Sequence, residues 1–394
     1  MQIEFDNIIP FRKKQLFKSA SLVDLETGEL KSCDIVVENK KIVEITEDSI
    51  EDFDGEVVDL DENFVLPSFV NAFSDCEEAL ENTYGLELVP LEELAKQNNT
   101  FAQLYPNNYN LEKPFDFLSG LFDMKSALAG ALQVNETKMW PLFKLKRLYL
   151  KNLQDFSESE LEEISLKAHK EKIRLFIEIG RSLEELGTID KNYHKPVSEV
   201  LEDFGLLEDK PTIVGANCLE KDELELLKIY DCRFITTPYA DAKMGRRPLN
   251  LAMFKNLGLT MGIGSGSAFE VDFFGYMRQL LTNTWSMFED KSVLSEKDVF
   301  KMATTDGSVA AGMKLQKLQV GDYADFIVVK REVTLYDDVF KTLVWEKSKK
   351  DVLMCVMQGK IVQKNGAFQG KRPIDFDEEK KILRKITRRI KNDN

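Results

Sequence analysis

The chain has 394 residues, of which 43% are hydrophobic and 31% charged, and its formal net charge is -15. That composition supports a large buried core and argues against disorder. It also lacks the basic footprint that phosphate requires, so nucleic acid is excluded as a partner. No apolar run reaches the ~20 residues of a membrane span, and the opening MQIEFDNIIPFRKKQLF lacks the basic-then-apolar order of a signal peptide, so a cytoplasmic location is expected.

In chain order, DIVVENKKIVEIT predicts two short strands around an Asn39-Lys40 turn, and GEVVDLDENFVLP continues as extended chain. From about residue 66 to 312 short apolar strands alternate with amphipathic helices. RLYLKNL precedes SESELEEISLKAHKE, RLFIEIG precedes SLEEL, and PTIVGANCL precedes EKDELELLKIY. RFITTPY then precedes RPLNLAMFKNL, and TMGIGSG precedes FFGYMRQLLTNTW. This alternation predicts an α/β fold with a parallel sheet closed into a (β/α)8 TIM-like barrel. FDFLSGLFDMKSALAG carries apolar residues near helical spacing and reads as core.

The β texture returns in ADFIVVKR and VLMCVMQGKIVQKNGAF, with turns at Gln358-Gly359 and Asn365-Gly366. Each terminal part alone is too short to bury a face. The expected division is therefore a small composite β-sandwich domain from residues 1–65 and 315–370, and a barrel over 66–314. In the tail, EEKKILRKITRRIKN places Ile382, Leu383, Ile386 and Ile390 on one helical face, so 371–394 is expected to be a basic C-terminal helix.

Cys33, Cys76, Cys218, Cys232 and Cys355 are odd in number and scattered without a CxxC pair, which reads as reduced, mostly buried thiols. Only two histidines exist: His169 near a helix end and His194 before a proline. Both are expected on the surface, and neither serves a Ser-His-Asp arrangement with Ser265 or Ser267.

In such a barrel, chemistry sits at the C-terminal strand ends, here NAFSD, KNLQD, EIGRS, ANCLE, TTPYAD and GIGSGS. VLPSFVNAFSD is similar to the strand-one segment Leu-Pro-Gly-Phe-Val-Asn-Ala-His-Thr-His of the amidohydrolase superfamily. TTPYADAKMGRRPLNLAMFKNLGLTMGIGSGSAFE resembles its Pro-x-Ser-Asn stretch, its Gly-x-x-Pro helix and its strand-eight Leu-Gly-Thr-Asp-Gly motif. ATTDGSVAAGMKLQKLQVGDYADFIVV is similar to its closing helix and Gly-x-x-Ala-Asp-x-x-Val strand. On these stretches, from about residue 17 to 362, the chain resembles the deaminase, chlorohydrolase and aminofutalosine-deaminase-like branch of that superfamily.

The resemblance implies metal-assisted hydrolysis, in which zinc or iron activates water against a carbonyl or ring amidine carbon. Every ligand position it implies has changed. The strand-one His-x-His falls on Phe73 and Asp75, the strand-five His on Glu178, and the proton-shuttling Glu on Arg181. The strand-six His falls on Asn217, the strand-eight Asp on Gly266, a pocket His after strand four on Asn152, and the Ser-Asn pair on Ala240 and Asp241. The expectation is a degenerate member with no metal and no cofactor.

Several readings of the leftover site stay open. Asp75 or Glu178 forms a buried ion pair with Arg181, or one of them acts as general base with Arg181 stabilising charge. Asp75, Glu178 and Asn217 are also oxygen donors of the kind magnesium or calcium accepts, although Arg181 competes for the same carboxylates. The Gly-rich loop with Ser265, Gly266 and Ser267 suggests an anion pocket, helped by Arg181, Lys243, Arg246 and Arg247. Phe73, Asn152, Asn217 and Asp241 complete the expected ligand pocket. The leading reading is a binding or partner subunit, taking a small-molecule or anionic ligand and forming a homodimer or a complex with an active paralogue. Its rival is a hydrolase of carbon–nitrogen bonds in a nucleoside-like or heterocyclic compound, and the sequence leaves open whether the chain is an enzyme.

Overall fold

The computed structural model describes residues 14–75, 124–133 and 147–369, apart from 269, 315, 316 and 333. Cys76, the basic tail over 371–394 and the first part of FDFLSGLFDMKSALAG lie outside the described residues.

Short runs rich in apolar and β-branched residues form the first strands, β1 (Lys14–Val23), β2 (Leu30–Glu38) and β3 (Lys41–Thr46). β2 and β3 form an antiparallel hairpin in which Glu38 faces Lys41, and the turn places Asn39 at φ 49° and Lys40 at φ 76°. β4 (Glu56–Asp59) and β5 (Phe64–Pro67) follow, with β5 buried along its whole length.

The barrel begins with β6 (Phe69–Asn71), β7 (Ala131–Gln133) and β8 (Arg147–Leu150). α1 (Glu158–Glu171) leads to β9 (Arg174–Ile179), then α2 (Leu183–Tyr193) and α3 (Val197–Asp203). β10 (Thr212–Gly215) is followed by α4 (Lys221–Ile229), and β11 (Arg233–Thr236) by α5 (Pro238–Lys243) and α6 (Leu251–Leu257). β12 (Met261–Ile263) then precedes α7 (Phe273–Phe288), α8 (Glu296–Ala303) and α9 (Thr305–Ala310). Helix starts are written locally. Ser157, Ser182, Asp272 and Ser295 each accept a backbone N–H of the first turn they precede.

β8 to β12 pair in parallel, and β6 pairs in parallel with β7. The two sets join where Ala72 N–H donates to the Ile263 carbonyl at 3.1 Å and Ser74 bridges Gly266. The resulting order among the described residues is β7-β6-β12-β11-β10-β9-β8. Val70, Ala72, Phe73, Phe176, Val214 and Ile235 fill one buried cluster with Ala310 and Ala311. On the opposite side of β6, Phe69 meets the helices, stacking on Phe273 at 5.3 Å and lying edge-on to Phe274 at 5.1 Å and Phe300 at 5.8 Å.

β13 (Phe326–Val329), β14 (Val352–Met357), β15 (Lys360–Lys364) and β16 (Ala367–Phe368) return to the first strands. Together they make one nine-stranded sheet, ordered β16-β15-β14-β13-β5-β1-β2-β3 with β4 on β1. The sheet curls on itself. The Gly359 turn comes against Val37 and Lys40, and Phe17 meets Phe326 edge-on at 4.9 Å in a core of its own. The architecture is thus α/β, a TIM-like barrel with a composite β unit built by strands from both parts of the sequence.

His169 and His194 are exposed, the first 3.2 Å from Asp209 and the second capping α2 at φ 56°. Cys33, Cys218, Cys232 and Cys355 are buried free thiols. Burial pushes Cys33 up to about 11 and Cys232 up to about 12, far from a reactive thiolate. No helix among the described residues is long and apolar enough to cross a membrane.

Candidate functional site

The end of β6 and the loop after β12 are knitted together. Asn71 donates from Nδ2 to Ser126 Oγ (3.1 Å) and Ser265 Oγ (3.0 Å), and its Oδ1 accepts the Ser265 N–H at 2.8 Å. Gly266 N–H donates to the Phe73 carbonyl at 3.0 Å, and Asp75 N–H donates to the Gly266 carbonyl at 2.9 Å. This zipper leaves no space for a Cβ at Gly264 or Gly266. A Cβ on Gly264 would lie 2.5 Å from the Phe73 carbonyl oxygen. Gly266 has φ +55°, and a Cβ there would lie 2.9 Å from both Ala240 Cβ and Thr237 Cβ.

That geometry uses the loop's amides within the chain. The N–H groups of Gly264, Ser265, Gly266 and Ala268 go to Thr236 O, Asn71 Oδ1, Phe73 O and Ser265 O, so they hold the loop to the barrel. Ser265 and Ser267 are buried, while Lys243 and Arg247 are exposed.

Phe73 is buried, with its ring centroid 5.7 Å from Tyr149, which in turn lies 5.2 Å from Phe176. Aromatic packing therefore occupies the first of the changed ligand positions. Asp75 is also buried, and its Oδ2 lies 2.5 Å from Lys151 Nζ. Lys151 was not among the expected site residues. Asn152, which was, is exposed at φ 52° and accepts the Asp155 N–H on its carbonyl. The left-handed turn after β8 sends Asn152 outward and leaves Lys151 as the residue that reaches the strand end.

A second group forms where β9, β10 and β11 end. Arg181 Nη1 donates to Glu178, and Arg181 Nη2 lies 3.6 Å from Asp241 Oδ1. Arg246 approaches the same Asp241 oxygen at 3.3 Å, while Asp241 Oδ2 accepts from Thr237 Oγ1 at 3.1 Å and from Asn217 Nδ2 at 3.5 Å. Asn217 Nδ2 also donates to the Arg247 carbonyl at 2.9 Å. The Arg181 stem crosses the end of β10 because Gly215, at φ +98°, has no Cβ; one would lie 2.6 Å from Arg181 Cγ. Backbone N–H groups of Gly180 and Arg181 donate to Glu185, fixing the turn that delivers the arginine. Of the expected site residues, Glu178, Arg181, Asn217 and Asp241 thus form one bonded group, and Phe73, Asp75, Ser265 and Gly266 form another. Ala240 and Thr237, packed on Gly266, link the two. Among the described residues, the cleft beside Asp241, lined by Asn217, Thr236, Pro238, Arg246 and Thr284, measures about 30 Å³, room for a water.

Burial pushes Asp241 up to about 6, outweighing the attraction of Arg181 and the bonds from Thr237 and Asn217, while Glu178 pushes the same way. A carboxyl raised from an ordinary 3.8 contributes stability that is full below pH 3.8 and is lost as pH rises through about 6. Asp241→Asn is therefore expected to flatten the decline in urea-unfolding stability between pH 4 and 6 by on the order of 3 kcal/mol. An unchanged slope in the variant assigns the decline to other carboxyls.

The donor set does not fit zinc. Among the described residues no three His, Cys, Asp or Glu side chains cluster to hold a metal ion. Phe73 offers no donor and Gly266 no side chain, and the two remaining carboxylates face Lys151 and Arg181.

Comparison with known proteins places this geometry in context. Residues 144–362 match the amidohydrolase family. The chain is 25% identical to a 5'-deoxyadenosine deaminase of Methanosarcina acetivorans over 91% of its own length and 93% of that protein. It is 22% identical to a 5-methylthioadenosine/S-adenosylhomocysteine deaminase of Pyrococcus abyssi over 90% of its length and 93% of the relative. Among solved structures, an adenosine deaminase from Xanthomonas campestris with bound zinc superposes with a TM-score of 0.78 at 16% identity, covering 96% of this chain and 98% of that one. An atrazine chlorohydrolase from Arthrobacter aurescens complexed with zinc gives 0.73 at 14% identity, covering 95% and 100%. These two share the fold.

Proposed function

The chain belongs to the amidohydrolase family, and from that premise we propose that it is a degenerate member, a cytoplasmic binding or partner subunit that does not use zinc or iron. One observation carries this reading. The carboxylates left at the barrel mouth, Asp75 and Glu178, are each engaged by a basic side chain of the same chain. Its partners on this reading are a small or anionic ligand, a second copy, or an active paralogue. We take residues 1–65 and 315–370 as the composite domain and 66–314 as the barrel.

A second reading is favoured by Asp241, a buried carboxyl titrating near 6 beside Arg181. Such a group suits general-base work near neutral pH. The relatives are deaminases by name, so the activity would be hydrolysis of a carbon–nitrogen bond in a nucleoside-like compound. Asp241, Asp75 or Glu178 would serve as base and Arg181 as stabiliser of developing charge.

Elemental analysis and deamination assays separate the two. Protein purified without chelator is expected to carry far less than one zinc or iron per chain, and added zinc leaves the melting temperature unchanged. A binding ion at a hundredfold excess over its dissociation constant would stabilise by about 2.7 kcal/mol. Ammonia release from 5'-deoxyadenosine or 5-methylthioadenosine by the metal-free protein establishes the second reading, and stoichiometric zinc with deamination overturns both.

A further inference from the structure

We propose that Lys151 and Arg181 are the resident cations of the barrel mouth, bracing it by joining strand ends that are not neighbours. In the described order β6 and β8 are not neighbours, and the Lys151–Asp75 pair ties the residue after β8 to the end of the β6 segment. β9 and β11 flank β10, and Arg181 spans from the β9 exit to Asp241 in α5, which directly follows β11. Each pair therefore does across the mouth what hydrogen-bonded ladders do only between neighbours, as a multidentate metal ion does when it draws ligands from several strands.

Three features show that the brace is built into the backbone. Asp75, Arg181 and Asp241 are buried, with side chains 3%, 8% and 4% exposed, so removing either partner takes a counter-charge from a group held out of water. Gly215 leaves the space through which the Arg181 stem passes, and Glu185 holds the Gly180 and Arg181 amides. The charges also balance. Asp75, Glu178 and Asp241 face Lys151, Arg181 and Arg246, so an added divalent ion meets no net negative charge from these six side chains.

The inference rests on the metal-free reading, since a resident ion would compete for the same oxygens, and the test keeps the two apart. Double-mutant cycles on the whole chain pair Lys151→Met with Asp75→Asn and Arg181→Met with Asp241→Asn, read as melting midpoints with and without chelator. Lys151→Met, Asp75→Asn and Arg181→Met are each expected to lower the midpoint by about 5 °C or more, and each double variant to depart clearly from the sum of its two single changes. Strictly additive losses overturn the brace while leaving a metal-free protein metal-free. A chelator-induced drop in the unaltered chain, with the ion found by elemental analysis, overturns the metal-free reading itself. Where a methionine variant does not fold, Lys151→Arg and Arg181→Lys replace it. Retention of at least half the midpoint difference supports the charge role, and a loss as deep as that of the aspartate variant overturns it.

Discussion

Gly266→Asp, which returns the carboxylate that the family resemblance assigns after the eighth strand, is expected to leave little folded protein. The backbone there sits at φ +55°, and any Cβ falls 2.9 Å from Ala240 and Thr237. Left-handed strain on a non-glycine residue costs about 1–3 kcal/mol and overpacking a similar amount, before a new buried carboxylate is counted. Gly266→Ala separates the terms, because it carries the strain and the clash without the charge, and it is expected to show most of the loss. Soluble yield and urea midpoint measure both. An aspartate variant as stable as the unaltered chain, binding zinc one to one, would contradict the packing described around the loop.

Phe69→Ala is expected to destabilise the barrel by about 3–5 kcal/mol. Its ring is fully buried between β6 and three phenylalanines of α7 and α8, so truncation opens a cavity where helices and strand meet. Phe69→Leu keeps most of the volume and is expected to lose less than half as much. Equal losses for the two would mean that ring geometry, and not filled space, holds this contact.

The strands and hairpins were legible because their signals are local. Asn39-Lys40, Gln358-Gly359 and Asn365-Gly366 all adopt positive φ, as their turns require. Phe73 and Gly266 lie side by side because β6 and β12 continue into a direct pairing, Ser74 against Gly266. What sequence could not supply was the pairing between strand ends. Lys151 lies 76 positions from Asp75, and nothing in KNLQD indicates which residue turns inward once a left-handed turn intervenes. Arg181 was expected to meet Asp75 or Glu178. Glu178 is three residues away on the strand it leaves, whereas Asp241, its second partner, comes from another loop. A Gly-Ser loop also reads the same whether its amides face a ligand or a strand, and here they face the strand. Gly215 carried no signal, because the need for it arises from a side chain that crosses from β9.

The sheet that both parts of the sequence share also fixes an order of events during synthesis. β5 pairs with β1 on one side and β13 on the other, and Arg331 N–H reaches Asn63 Oδ1 across 268 positions. On the ribosome, Phe64, Val65 and Leu66 therefore emerge with one flank bare and keep it bare while the entire barrel is translated. Until β13 arrives, that flank is an apolar strand edge open to any other extended chain, and the closing contact is among the slowest the molecule makes. A nascent chain stalled before residue 326 is a barrel with an unfastened clasp, the species of this protein that most needs a chaperone.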